Sequence, residues 1–356
     1  MKTPAYEGKL WQTLRLGALI LCLWGGRASA AERPRENDDR WRSTAEDFLR
    51  LNVGPIAIGH HGVGPYASAD GGFPLQNTVE SVEQAYSLGA RVVEVDVQLT
   101  ADGKLAVYHD DYLSDFTCLN SLTLKQLQER LPYVPELRKM LQIARRFNRE
   151  SHNELNGIMI VELKAFSPLC DPNDAFEEPL VAAAVDAIND AGMTKQVIFD
   201  SFSPALLYLT LQAAPEIPRE LDLDGLQLLS PAEIQAVTGL PVTIVSKKIS
   251  LGLLWADIGP VYRLPGYASS GQFLATAKGL QASSVGGEID FFGPAEEQQT
   301  GSGAAFVAGA HSLGLKVFAD PANVEADWEF FASLGVDAIY STIPMGVQLQ
   351  ATIPKI

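Results

Sequence analysis

Cysteine is scarce in this chain, three in 356 residues. That is too few for a fold stapled by several disulfides or for a cysteine-rich metal module. Basic residues are also outnumbered, 27 Lys and Arg against 43 Asp and Glu, for a formal net charge of −16. So acidic a balance argues against nucleic acid or an anionic bilayer as a broad docking surface. It does not exclude a small anion, because a bound cation reverses the sign locally. Repeats with a period of twenty to fifty residues are absent, which removes solenoids and propellers. Past the N-terminus no apolar run is long enough to span a membrane, so no stable membrane insertion is expected. What is present, 47% hydrophobic and 20% charged residues, is ordinary globular composition.

The one long apolar run is Leu16–Trp24. Lys2, Lys9 and Arg15 precede it and Ala28-Ser29-Ala30 follows. This pattern reads as a secretory signal peptide over residues 1–30, so the mature protein is expected to be secreted or periplasmic. The alternative, an N-terminal anchor, is disfavoured by the short run. Residues 31–53 read as a charged linker entering a short helix. Beyond the signal only Cys118 and Cys170 remain. In an exported chain that suggests one disulfide, the alternative being two free buried thiols.

From residue 54 extended and helical patterns alternate. Candidate strands are 55–60, 91–97, 105–109, 157–164, 196–201, 242–246, 283–289, 315–320 and 336–342. Candidate helices lie between many of them: one begins at Asn77 with Glu80 three positions on, and others cover 135–147, 178–191, 204–213, 304–313 and 325–334. Such alternation without a break in composition predicts one α/β domain over 54–350, a (β/α)8 TIM-type barrel. There is one candidate strand too many, so one in the region 218–300 is expected to be loop.

Glu94 and Asp96 stand two apart on one strand and share a face, with Val93, Val95 and Val97 on the other. Two carboxylates on an apolar strand require a cation, either a basic side chain or a metal, and oxygen donors of this kind suit Mg²⁺ or Ca²⁺. His60 and His109 each end a strand. Glu162 and Lys164 form another same-face pair. Three carboxylates, a lysine and two histidines suit metal-assisted phosphoryl chemistry. His152 and His311 read as surface or structural, Trp255 and Trp328 as packing, and Asp290 and the Tyr262–Tyr267 region as covering the barrel.

The segment His60-His61-Gly62, Gln76-Asn77-Thr78, Gly89 through Gly103 (GARVVEVDVQLTADG) and Val107-Tyr108-His109-Asp110 resembles the glycerophosphodiester phosphodiesterase family. That family reads roughly HRG…PENT…GAxxxExDVxxTxDGxxVxxHD. Glu162-Leu163-Lys164, Ser201-Phe202 and Gly335–Ile339 are similar to its later strands. The resemblance implies a metal-dependent barrel that splits glycerophosphodiesters into an alcohol and glycerol phosphate. It implies His60 and His109 as the acid–base pair, and Glu94, Asp96 and Glu162 as ligands of one Ca²⁺ or Mg²⁺. Lys164 and His61 would contact a small phosphodiester substrate of lipid origin. Cys118 and Cys170 would lie on loops at the catalytic mouth.

Three departures stand out. His61 occupies the place of the family's arginine, Gln76 that of its glutamate, and Phe318-Ala319-Asp320 that of its Trp-Thr strand end. An Arg–Glu ion pair exchanged for a neutral His–Gln hydrogen bond is the expected meaning of the first two. Two other functions fit the same residues. One is a phospholipase D or sphingomyelinase D-like enzyme acting on whole lipids, with Ile249–Leu254 as an apolar rim. The other is a binding protein that lost turnover.

Overall fold

The computed structural model describes residues 43–64, 74–151, 155–167, 170–228, 242–245, 248–251, 264–265, 267–288, 292 and 303–342. The expected signal peptide, most of the linker, His152, Trp255, Tyr262, Asp290 and the end of the expected domain lie outside them. In chain order the strands are β1 (Ile56–Gly59), β2 (Val92–Leu99), β3 (Leu105–Val107), β4 (Ile158–Leu163), β5 (Val197–Ser201), β6 (Arg219–Leu221), β7 (Val242–Val245), β8 (Lys248–Leu251), β9 (Leu264–Pro265), β10 (Ser284–Glu288), β11 (Lys316–Asp320) and β12 (Ala338–Ser341). Eight of them pair in parallel in the order β1-β2-β4-β5-β6-β10-β11-β12, and β12 pairs back onto β1. The result is a closed (β/α)8 barrel.

Residue alternation divides each strand between two environments. On β2, Val93, Val95 and Val97 face outward into an apolar layer with helix residues such as Tyr86, Met140 and Leu141. Val92 faces inward with Ile58, Ile160, Ile198, Phe318 and Tyr340. Helix α1 (Ala45–Leu49) adds Ala45 and Phe48 to this inner cluster and so plugs the amino end of the barrel. Each large apolar side chain buried in this way stabilises the fold by about 1.5–3 kcal/mol. The inward positions one step further along the strands are acidic: Glu94 and Asp96 follow Val92, Glu162 follows Ile160, and Asp200 follows Ile198. The barrel interior is therefore apolar at its amino end and charged at its carboxyl end, the end where such barrels carry their chemistry.

Two expectations need correction, and one stave was not foreseen. The stretch 105–109 does not form a barrel stave: β3 pairs antiparallel with β2, and His109 lies in the segment just after it. The 242–246 candidate is a strand, β7, but it belongs to a separate three-stranded antiparallel sheet with β8 and β9. The other candidate of that region, 283–289, is the stave β10, so neither of the two is loop; the remaining stave is β6, which was not among the candidates because its sequence Arg219-Glu220-Leu221 lacks an apolar run. Arg219 is nevertheless buried, because its guanidinium bonds to backbone carbonyls of Ile217 and Leu280.

The helix after β1, α2 (Val79–Ser87), starts one residue later than expected. Thr78 is its N-cap, in a reciprocal box with Ser81. Asn77 is thereby released for another task. The helices over Leu137–Glu150, Glu177–Ala191, Pro204–Ala213, Gly303–Ser312 and Glu325–Leu334 match expectation within three residues at either end. Among the described residues no helix is long and apolar enough to cross a membrane.

Candidate active site

β1 ends at Gly59 and hands the chain to His60, whose amide still continues the ladder by donating to Ser341 O at 3.0 Å. The chain then turns sharply: His61 has φ +52 and Gly62 φ +81. A Cβ on Gly62 would stand 2.5 Å from Ser81 Oγ and 2.7 Å from the Ser81 carbonyl carbon. Only glycine lets this turn pack under the start of α2. The turn aims the His61 amide at the barrel axis, where it donates to Glu94 Oε2 at 2.8 Å.

Asn77, freed from capping, also has positive φ, +56. Its Nδ2 donates to Asp96 Oδ2 at 2.6 Å and its Oδ1 accepts from Asp96 N at 3.2 Å. This two-point clamp fixes one carboxylate of the site. Nothing in composition or periodicity singled Asn77 out; the signal was its place in the matched Asn-Thr motif.

His60, His61, Glu94, His109, Glu162 and Lys164 line one cavity of about 200 Å³. Asp96 lies under it, fully buried. Every site residue expected from the sequence is thus brought to the same place. The three imidazoles stand in a row, with ring centroids 3.7 Å apart for His60–His61 and 5.4 Å for His61–His109. The expected His–Gln hydrogen bond is present: His61 Nδ1 is 2.7 Å from Gln76 Oε1.

The outer two imidazoles each meet a carboxylate through Nδ1, His109 with Asp110 Oδ1 at 2.8 Å and His60 with Asp320 Oδ1 at 3.2 Å. The second contact is an ion-pair distance without hydrogen-bond alignment. Gln98, on the inner face of β2, donates to the carbonyls of Tyr108 and His109 and so ties the His109 segment to the barrel.

Burial governs the protonation states here. It pulls the His109 pKa down to about 3, with Lys164 adding to the effect. His60 is lowered as well, by burial first and then by His61. Burial pushes Glu94 up, reinforced by Asp96 and Glu162, and raises Glu162 despite Lys164. Burial would raise Asp96 too, but His61, Lys164 and His109 around it hold it well below the usual carboxylate range.

Oxygens of Glu94, Asp96 and Glu162 converge within 4.8 Å of one another. Lys164 Nζ bridges Asp96 Oδ1 and Glu162 Oε1 at 2.9 and 2.6 Å. Glu94 Oε1 is buried without a hydrogen-bond partner. One lysine against three buried carboxylates leaves negative charge unmatched, and the orphaned oxygen is what an ion would satisfy. The residues fit a divalent cation.

The sequence reading missed the opposite wall. Asp200, Asp222, Asp224, Glu288 and Asp320 line the same cavity, and Glu220 is buried beside Asp222. Burial raises Asp222 to about 6 and Asp320 to about 8, the latter helped by Asp222. Each follows an inward-facing residue by two positions at a strand end, so the period-two pattern that found Glu94 and Asp96 would have found these. At the mouth, Cys118 and Cys170 form the expected disulfide. It ties the loop after His109 to the loop after Lys164, beside a bond from Asn120 to the Cys170 carbonyl. His311 pairs with Asp337 near the surface and Trp328 packs against the outer apolar layer, as expected.

The model of the glycerophosphoryl diester phosphodiesterase family matches residues 60–342. Among curated relatives, a glycerophosphocholine phosphodiesterase of Eremothecium gossypii is 37% identical over 117 residues, 32% of this chain and 8% of that one. A glycerophosphodiester phosphodiesterase of Bacillus altitudinis is 43% identical over 61 residues, 17% of this chain and 24% of that one. The matched segments thus span a quarter or less of these relatives. Solved structures share the fold at low identity. A glycerophosphodiester phosphodiesterase from Parabacteroides distasonis has a TM-score of 0.56 at 18% identity, covering 84% of this chain and 97% of its own. An Oleispira antarctica phosphodiesterase in complex with the product sn-glycerol-3-phosphate has 0.55 at 20%, covering 84% and 97%. With a matched barrel and a matched set of strand-end residues, the chain belongs to the glycerophosphoryl diester phosphodiesterase family.

Proposed function

We propose that this protein is an exported, divalent-cation-dependent phosphodiesterase that cleaves glycerophosphodiesters to an alcohol and glycerol phosphate. The observation that carries the proposal is the cavity itself. Two imidazoles, one bonded to Asp110 and the other 3.2 Å from Asp320, flank a carboxylate cluster and a single lysine. Glu94, Asp96 and Glu162 would hold the cation, and on these three oxygen donors alone Ca²⁺ or Mg²⁺ is the natural occupant. When bound, the cation neutralises charge on the phosphoryl oxygens. Lys164 adds a second positive charge from the side, and His61 lies between the two outer imidazoles, where the phosphate would pass.

The proton inventory favours one division of roles. With its pKa at about 3, His109 is neutral at working pH and its Nε2 accepts the proton of the attacking oxygen, that of water or of the glycerol's neighbouring hydroxyl. The His60–Asp320 pair retains a proton, because Asp320 is raised to about 8. As the phosphorus–oxygen bond breaks, His60 gives that proton to the leaving alkoxide. Groups whose environments push their titrations apart are the usual mark of an acid and a base. Each transfer contributes roughly 10²–10⁴ in rate. The acidic far wall disfavours a second negative charge on the leaving alcohol and favours a neutral or cationic one. Choline is such an alcohol, in keeping with the glycerophosphocholine phosphodiesterases among the relatives. Export is supported by the Cys118–Cys170 bridge.

The test is turnover by the purified full-length chain of glycerophosphocholine, lysophosphatidylcholine and bis(p-nitrophenyl) phosphate, with added Ca²⁺ or Mg²⁺ and with chelator. Metal-dependent release of glycerol phosphate from the first substrate is expected. Turnover of lysophosphatidylcholine alone would replace this reading with an enzyme of whole lipids. Metal binding with no turnover would replace it with a binding protein.

A further inference from the structure

β3 ends at Val107, and the chain that carries His109 then crosses the barrel mouth without regular structure. It is anchored on either side of the histidine. Before it, Tyr108 N donates to Asp96 O at 3.2 Å. After it, Asp111 accepts from Ser167 N through Oδ2 at 2.7 Å and from Leu119 N through its carbonyl at 2.8 Å. Between these anchors the Tyr108 and His109 carbonyls meet one side chain, Gln98, whose Nε2 donates to them at 3.0 and 2.8 Å. Carbonyls only accept, so the amide is oriented with its nitrogen toward both.

Successive carbonyls of an extended strand point in opposite directions. Here two in succession reach the same nitrogen, so the backbone has left the extended form. The bend falls at the residue whose ring lines the cavity, 5.4 Å from that of His61. Gln98 lies two positions beyond Asp96 on the inner face of β2 and is fully buried. Its own Oε1 is buried without a hydrogen-bond partner. A residue present only to fill the barrel would be apolar, since an orphaned buried oxygen is destabilising. Among uncharged side chains only a carboxamide carries two donor hydrogens on one nitrogen, and asparagine is one methylene shorter.

We propose that Gln98 is a positioning residue for His109: its amide holds the bend that presents the imidazole to the phosphodiester. Gln98 is not among the described residues that line the cavity, and it acts through His109. The inference rests on the proposed role of His109 as base and extends it to the side chain that sets the base in place. A base must lie within hydrogen-bond reach of the proton it takes, and a displacement of about 1 Å costs up to about 10²-fold in rate.

The test is a double-mutant cycle in the full-length protein with glycerophosphocholine and added Ca²⁺ or Mg²⁺. Values of kcat and KM are measured for the wild type, Gln98→Met, His109→Asn and the double variant. Methionine keeps the length of the side chain and removes both donors. Gln98→Met should lower kcat by roughly 10- to 100-fold, with KM and the dissociation constant of the cation little changed. Added to His109→Asn it should bring no further loss, because the group it positions is already gone. A wild-type kcat in Gln98→Met, or losses that multiply in the double variant, would overturn the inference while leaving the phosphodiesterase reading in place. Wild-type turnover by His109→Asn, or no turnover by the wild type, would overturn both. Thermal unfolding checks each variant. Should Gln98→Met not fold, Gln98→Glu, which keeps the shape and replaces the donating nitrogen by oxygen, carries the same cycle. If neither folds, Gln98 serves the fold rather than the base and the inference is overturned.

Discussion

At the scale of single residues, the site is a set of charges made tolerable by fixed partners. Asp320 shows this best. Its carboxyl, raised to about 8 by burial and by Asp222, stands 3.2 Å from His60 Nδ1, and in the proposed reaction it would keep a proton within reach of the leaving group. The acid must be protonated to act, so kcat should fall as pH rises through about 8. Asp320→Asn should remove that alkaline limb and lower kcat while changing KM little; a pH–rate profile with the limb intact would separate Asp320 from the proton transfer. Asp320 was in view in the sequence only as a departure from a Trp-Thr strand end. Its role was hidden because a lone aspartate at a strand end has no meaning until the barrel closes and sets it beside a histidine from β1. Glu94, Asp96, Glu162 and Lys164 were legible because two same-face charges on an apolar strand must be matched by something.

At the scale of elements, strands and helices place the site and tight turns aim it. The longer apolar strands and the amphipathic helices were readable from period and caps. β6 was not, since its buried arginine satisfies itself on carbonyls and imitates a loop. β3 was misplaced because an antiparallel return strand has the same local pattern as a stave. The turn His60–Gly62 carries most of the aiming. Gly62→Ala would meet a left-handed backbone costing about 1–3 kcal/mol and also the wall of α2. The expected result is a lower melting temperature together with weakened cation binding, measured by thermal unfolding and metal titration. An unchanged variant would mean that the turn is adaptable. The Cys118–Cys170 bridge closes a 52-residue separation, which in the chain-entropy treatment corresponds to about 4 kcal/mol. Replacing both cysteines by alanine should lower stability by up to that amount in denaturant titration. Two alkylatable thiols in the native protein would show that the bridge does not form.

At the scale of the whole molecule, an acidic chain concentrates its acid at one rim. Asp222 at about 6 and Asp320 at about 8 have folded pKa values above the ordinary 3.8, and burial raises Asp200 and Glu220 as well. Between about pH 4 and pH 8 the folded state therefore holds protons that the unfolded chain has released. Stability is full below the unfolded value and is lost as pH climbs through the folded ones. Below about pH 6.5 the lowered His60, His61 and His109 pull the other way, so the chelated protein should melt at lower temperature at about pH 8.5 than at about pH 7, and a divalent cation should recover part of the difference. A melting temperature that rises over this interval would show that the wall is already neutralised by other means.

The central claim is that His60 and His109 serve one phosphorus from its two sides. The most direct measurement is the rate of glycerol phosphate release from glycerophosphocholine by His60→Asn and His109→Asn, each checked for retained cation binding. The account predicts that either change lowers kcat by roughly 10²–10⁴. Wild-type turnover in either variant would contradict it.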